Sequence, residues 1–408
     1  MSLLLRLATQ ILTHHAVPPR PERERRVLWA GQILSAAAQA GALVLALTWV
    51  IRSGADTRGL GLVLAAGLLA LAGLTRPAAF LAERISRRAM MIAPHLAMGA
   101  FIPALGAWAP ASEWRAAALS VAAGASRALF DAAGAAIVHH HTDDRRTGGA
   151  LAELTRRHAL GHLIGVACAL PLAVVHGSGV AGLMAATLWI VAAAVILPLH
   201  PALDGPSQPR PSLASAMGHG LAEIAANGKQ RLATLADLVS CGVGGAVGAL
   251  GFPELVRTIG PAQAALAVSA GVMIVLALRP VLARLVRARA APVMAGGLLA
   301  LALASLALAL VERAAEAALA YGVLLVGAAI CAAAGSRARS GLRVELRAPA
   351  GLANGALAAA SGAAGAGFGG IAGTALGISG ALVVTGAAAG LAAFVLAAAS
   401  VRRAAPRL

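Results

Sequence analysis

Twelve stretches of this chain, each 17 to 28 residues long and almost wholly apolar, follow one another with short polar breaks between them. They fall at 27–51, 59–81, 89–108, 116–138, 159–175 and 179–199, then at 232–255, 261–282, 291–311, 317–337, 350–377 and 379–401. A helix rises about 1.5 Å per residue, so about 20 residues cross the roughly 30 Å of a bilayer's hydrocarbon core. The pattern therefore predicts an all-α membrane protein of twelve transmembrane helices in two six-helix bundles. Of the 408 residues, 59% are hydrophobic and 12% charged, too few polar groups to clothe a soluble domain.

Between the two sets of six, residues 200–231 carry Pro201, Pro206, Pro209 and Pro211 and then an amphipathic stretch, LASAMGHGLAEIAA. They read as a linker, with 1–26 as an N-terminal segment that includes a surface-lying candidate helix, LLLRLATQIL, and 402–408 as a tail. No cleavage site for a leader follows the arginine-rich start, so the first helix is expected to stay.

The net charge of +17 is a topological signal. Under this layout, 27 of the 33 basic residues fall on one side: the two termini, the linker and the breaks after helices 2, 4, 8 and 10. Five fall on the other and Arg127 lies within a span, so both termini are expected in the cytoplasm. Basic residues that bind nucleic acid gather on one soluble face, and these do not. Arg76-Pro77 with Arg84 recurs as Arg279-Pro280 with Arg287, a faint internal repeat of the kind duplicated transporter halves carry.

The break after the second helix, RPAAFLAERISRR, crowds Arg76, Arg84, Arg87, Arg88 and the acid Glu83 into thirteen residues. Arginines at a helix end fix that end on the cytoplasmic side, and Glu83 can pair with a base or face a helix N-terminus. In the fourth span, SRALFDAAG places Arg127 twelve residues from both Arg115 and His139, so roughly 18 Å from either end. A charge at that depth faces a bundle interior or a wet cavity, and Asp131, one turn on, shares its helix face. The pair is either a self-neutralised structural contact or a coupling site.

Gln32 and Gln39 in the first span are candidates to line the same cavity. Gly161 and Gly165 in the fifth, and Gly365, Gly369, Gly373 and Gly377 in the eleventh, stand at four-residue steps and predict close helix packing. Asp237, within two turns of Lys229 and Arg231, is expected to snorkel or cap. Cys168, Cys241 and Cys331 lie in separate runs without CxxC spacing, and adjacent residues of the run His139–His141 point in different directions, so neither a disulfide nor a metal site is expected. Walker, HExxH and GxSxG patterns are missing, and no Rossmann fingerprint is found in a strand–turn–helix setting, so neither an enzyme nor a cofactor is expected.

The loop RPAAFLAERISRR resembles the loop between helices 2 and 3 of the major facilitator superfamily. SRALFDAAG is similar to that family's fourth-helix motif, whose buried arginine serves proton coupling, a role the resemblance gives to Arg127 with Asp131 as partner. The first and fifth helices look most like the enterobactin-exporter and macrolide-efflux branch, although Ala38-Gln39 stands where a Gly-Asp pair is common, and Val166, Cys168 and Ala169 depart from the fifth-helix proline and glycines. The resemblance implies a monomeric, proton-coupled exporter of a small organic solute, a siderophore or drug, working by alternating access. An importer of the same fold, or a non-transporting sensor or assembly protein, stays open.

Overall fold

Lipid offers no partner to a backbone N–H or C=O, so an apolar chain crossing it must satisfy those groups within each segment. The computed structural model describes residues 21–108, 112–141, 144–200, 203, 212–288, 290–310, 313–339 and 344–404, and among them the regular structure is helical. The helices are α1 (Pro21–Arg52), α2 (Thr57–Leu81), α3 (Arg87–Trp108), α4 (Glu113–His141), α5 (Asp144–Val175), α6 (Ser178–Ile196), α7 (Leu213–Ala226), α8 (Gly228–Ile259), α9 (Pro261–Ala288), α10 (Ala290–Leu310), α11 (Ala314–Arg339) and α12 (Val344–Ala404). The candidate surface helix LLLRLATQIL and the side chains of Arg279, Pro280 and Arg287 lie outside the described residues.

At 61 residues, α12 would run about 90 Å if straight, three times the membrane core. It does not, because Gly377 takes φ 74°, a left-handed value open to glycine, and splits it into two spans, 344–376 and 378–404. The four-residue repeat expects Gly377 to join a packing seam; it makes the break instead, with open space around it. Among the described residues nine helical stretches are long and apolar enough to cross a membrane, one of them this double span. Two shorter apolar stretches, Pro261–Val275 and Ala315–Cys331, bring the count into line with twelve.

Several helices overrun the apolar runs at the arginine-rich end. α1 starts at Pro21, where Glu22 and Glu24 occupy its first turn and complement the helix dipole. α5 starts at Asp144, and Glu153 pairs with Arg156 at 3.0 Å and Arg157 at 2.6 Å on its polar extension.

α1 to α6 form one half, and α8 to α12 the other. Within the first, α5 lies on α1 because Gly161 and Gly165 carry no side chain: a Cβ at Gly165 would sit 2.7 Å from Ala37 Cα, and one at Gly161 2.9 Å from Ala36 Cβ. The segment 344–376 is wedged between α8 and α2. Gly369 and Gly373 abut Ala246 and Leu250 of α8, and Gly365 rests on Gly242. On its other side Gly370 meets Gly61 and Thr57 of α2, where a Cβ would lie 2.9 Å from the Thr57 carbonyl. Thr57 Oγ1 donates to the Gly370 carbonyl at 3.2 Å, and Thr374 Oγ1 to Asp56 at 3.4 Å, so the halves are tied at the end away from the arginines. An apolar cluster reinforces that closure, joining Val44, Ala169 and Leu170 to Leu255, Ala264 and Val268.

The linker stretch LASAMGHGLAEIAA forms α7, capped by Ser212. Its Leu213 and Met217 pack with residues of the first half, and Gly220 and Ile224 sit against Ala350 at the start of α12.

Candidate functional site: a polar cavity between the halves

A cavity of about 400 Å³ lies between the halves, toward the arginine-rich end. α1 contributes Gln32, α2 Leu71 and Thr75, α4 Arg127 and Asp131, and α5 Leu151, Thr155 and His158. The opposite wall is Asp237 and Cys241 of α8 with Arg347, Leu352 and Asn354 of α12. The seam from Gly61 to Gly370 closes the far end.

At its centre Arg127 Nε donates to Asp131 Oδ2 at 3.3 Å, both side chains about 30% exposed to the cavity. The i, i+4 spacing on α4 makes this contact possible without tertiary help. Gln32 then reaches in from α1, its amide nitrogen 3.3 Å from Asp131 Oδ1 and 3.1 Å from His158 Nδ1. One buried glutamine thus gathers α1, α4 and α5 around the carboxylate. His162, a turn along α5, stacks on His158 with ring centres 6.1 Å apart.

Gln39 does not line this cavity. It is buried, donates to Ser35 Oγ at 3.2 Å on its own helix, and leaves its carbonyl oxygen without a partner. Asp237 neither snorkels nor caps: it is 6% exposed and accepts from Asn354 Nδ2 at 3.0 Å, a buried bond between α8 and α12. The sequence reading missed His158 and Asn354. Asn354 was marked only by being a polar residue in an apolar run, GLANGALAA, and His158 stands just before one, next to Arg156 and Arg157.

The arginine-rich loop engages the linker. Glu83 Oε1 accepts from the backbone N–H of Leu213, the first residue of α7, and lies 3.7 Å from His140 Nε2. A carboxylate at a helix N-terminus satisfies an otherwise unpaired donor and complements the dipole. Arg87, 1% exposed, donates from Nε to the Ala82 carbonyl at 3.1 Å and from Nη1 to the Leu203 carbonyl at 2.7 Å. Arg84 lies over the Phe80 ring at 3.8 Å, and Arg88 is half-buried in the first turn of α3. Among the described residues no group of three or more His, Cys, Asp or Glu side chains is placed to hold a metal ion.

Residues 28–338 match the family model of the Major Facilitator Superfamily. No curated protein matches the chain. Among solved structures, a bacterial homolog of the human lysosomal transporter Spinster, inward-facing and occupied, superposes with a TM-score of 0.72 at 14% identity, over 94% of this chain and 97% of that one. A POT family transporter in complex with 5-aminolevulinic acid gives 0.73 at 13% identity, over 92% and 96%. The human organic anion transporter MFSD10 (TETRAN) gives 0.64 at 15% identity, over 93% and 100%. At such identities these likenesses speak for the fold.

Proposed function

The chain belongs to the major facilitator superfamily, and on that premise we propose that it exports a small organic solute, of the siderophore or drug kind, in exchange for protons by alternating access. Membership makes it a multi-pass membrane transporter of small molecules, not an enzyme. The observation that carries the proposal is the Arg127–Asp131 pair standing in a cavity between the halves, with Gln32 and His158 drawn onto it. A wet cavity lowers the desolvation cost of the pair and also puts it within reach of solute and proton, as coupling requires.

The geometry supports an alternating-access mechanism. The solute binds in the cavity while the seam of α2 and segment 344–376 is closed; parting that seam and closing the arginine-rich end exposes it on the other face. The 27-to-5 division of basic residues supports a cytoplasmic position for the arginine-rich end, and so an inner-membrane protein with both termini inside.

Asp131→Asn leaves Arg127 without its counter-charge at mid-membrane depth, whereas Arg127→Gln with Asp131→Asn removes both charges together. The double variant is expected at near-parental abundance but unable to concentrate, in everted vesicles, the solute that a deletion strain retains. Concentrative transport by the double variant would rule out coupling at this pair.

A further inference from the structure

The ion pair does not explain why a histidine shares its glutamine. Gln32 Nε2 serves both Asp131 Oδ1 and His158 Nδ1. The amide's orientation follows from Asp131, since its oxygen in that place would set two acceptors together. An amide nitrogen only donates, so His158 Nδ1 accepts and the ring carries its proton on Nε2. His158 is uncharged here, its free lone pair covered by an N–H.

The two protonatable groups differ in what a proton would disturb. Asp131 has both oxygens engaged, Oδ2 by the Arg127 guanidinium and Oδ1 by Gln32. Protonating it breaks a charge-assisted contact. Protonating His158 at Nδ1 displaces only the neutral Gln32 N–H, and the amide must then swing off the ring. The charges facing the ring are Arg127 and Asp131 on α4, with His162 on its own helix and Asp237 and Arg347 across the cavity. Asp131, linked to the ring through Gln32, is the anion placed to balance an imidazolium, and Arg127 is the cation that opposes one.

We infer that His158 is the proton carrier of the cavity, and that Gln32 is the positioning residue that keeps it empty while the protein is open toward the arginine-rich end. The inference rests on the proton-coupled reading and gives that reading its carrier. The proton balance is simple: a solvent proton adds to the Nδ1 lone pair, Asp131 supplies the counter-charge, and the return of the Gln32 N–H to Nδ1 accompanies its release. Asp131 holds the charge fixed throughout.

The test is nitrogen NMR on the full chain in lipid vesicles with ring-labelled histidine, the His158 signals being those lost in His158→Gln. At about pH 6, inside the range where histidine ordinarily titrates, the parent should show a bare Nδ1 and a protonated Nε2. Gln32→Met keeps the side chain's length and cannot donate, and it should raise the doubly protonated fraction of His158 by about tenfold at the same pH, the equivalent of one pH unit. A protonated Nδ1 in the parent, or an unchanged ring in Gln32→Met, overturns the inference. Acidifying the parent alone provides a second reading that no variant's folding can spoil: the bare Nδ1 signal of His158 should convert to the protonated form, and a ring whose Nδ1 stays bare throughout overturns the inference equally. Loss of gradient dependence is read by the double variant described above, so failure of the coupling reading leaves its own, separate mark.

Discussion

Gly370→Leu should open the closed end of the protein. A Cβ at Gly370 would lie 2.9 Å from the Thr57 carbonyl oxygen and 3.1 Å from Gly61 Cα, both backbone atoms that no rotamer change can move aside. Ordinary contact begins near 3.4 Å, so α2 and segment 344–376 must part by about 0.5 Å for the Cβ alone, and further for the rest of the leucine. Overpacking of this kind costs about 1–3 kcal/mol, borne only by the form in which the seam is shut. The ratio of the two forms then moves about 5- to 150-fold, so that an opposite-facing state holding about 1% of molecules rises to between about 5% and about 60%. Cys241 lines the cavity and makes a native reporter once Cys168 and Cys331 are replaced. An impermeant maleimide should label the parent's Cys241 from the arginine-rich face and the variant's from the opposite face as well. If the variant is abundant, labels normally from the first face and gains nothing at the second, the glycine seam is not the closure. Gly370→Ala, which introduces the Cβ alone, should fall between the two.

Three further outcomes are expected. Glu83→Gln keeps a hydrogen-bond acceptor at the first turn of α7 but loses the charge, worth about 0.3–1 kcal/mol at a helix N-terminus; transport should fall at near-normal membrane abundance, and parental transport would reduce the loop to an anchor. Gly165→Leu drives side-chain carbons into the Ala37 backbone and should lower thermal stability by about 1–3 kcal/mol or more, read as loss of monodisperse protein on heating. Reporter fusions after Gly205 and after Arg403 should both signal cytoplasm, and a periplasmic signal at either would overturn the division into two six-helix halves.

The helices were legible because their cause is local: an apolar run of the right length has one way to satisfy its backbone in lipid. The Arg127–Asp131 contact was legible for the same reason, both residues lying on one helix face. What brings Gln32 to His158 is an approach across 126 positions that no single-helix period encodes. Gln39 shows the converse: seven residues on from Gln32, it turns to Ser35 instead of the cavity. Gly377 shows a regular spacing misread, since four-residue steps describe a face only while the helix continues, and there it stops. Asp237 looked tethered to nearby bases in sequence, but its partner Asn354 belongs to another helix entirely.

The double attachment of α7 bears on how the gene could be divided. Its first residue is held by Glu83 of one half, and its Gly220 and Ile224 rest on Ala350 of the other. A chain severed just before Ser212 would deliver α7 as the leading helix of the second fragment, bearing the complement to a carboxylate on the first. Two co-expressed fragments split at that point would keep a recognition key for each other. The same pair split after Asn227 would leave the key on the first fragment, already engaged with its own Glu83, with the apolar face meant for Ala350 still to be matched by the second.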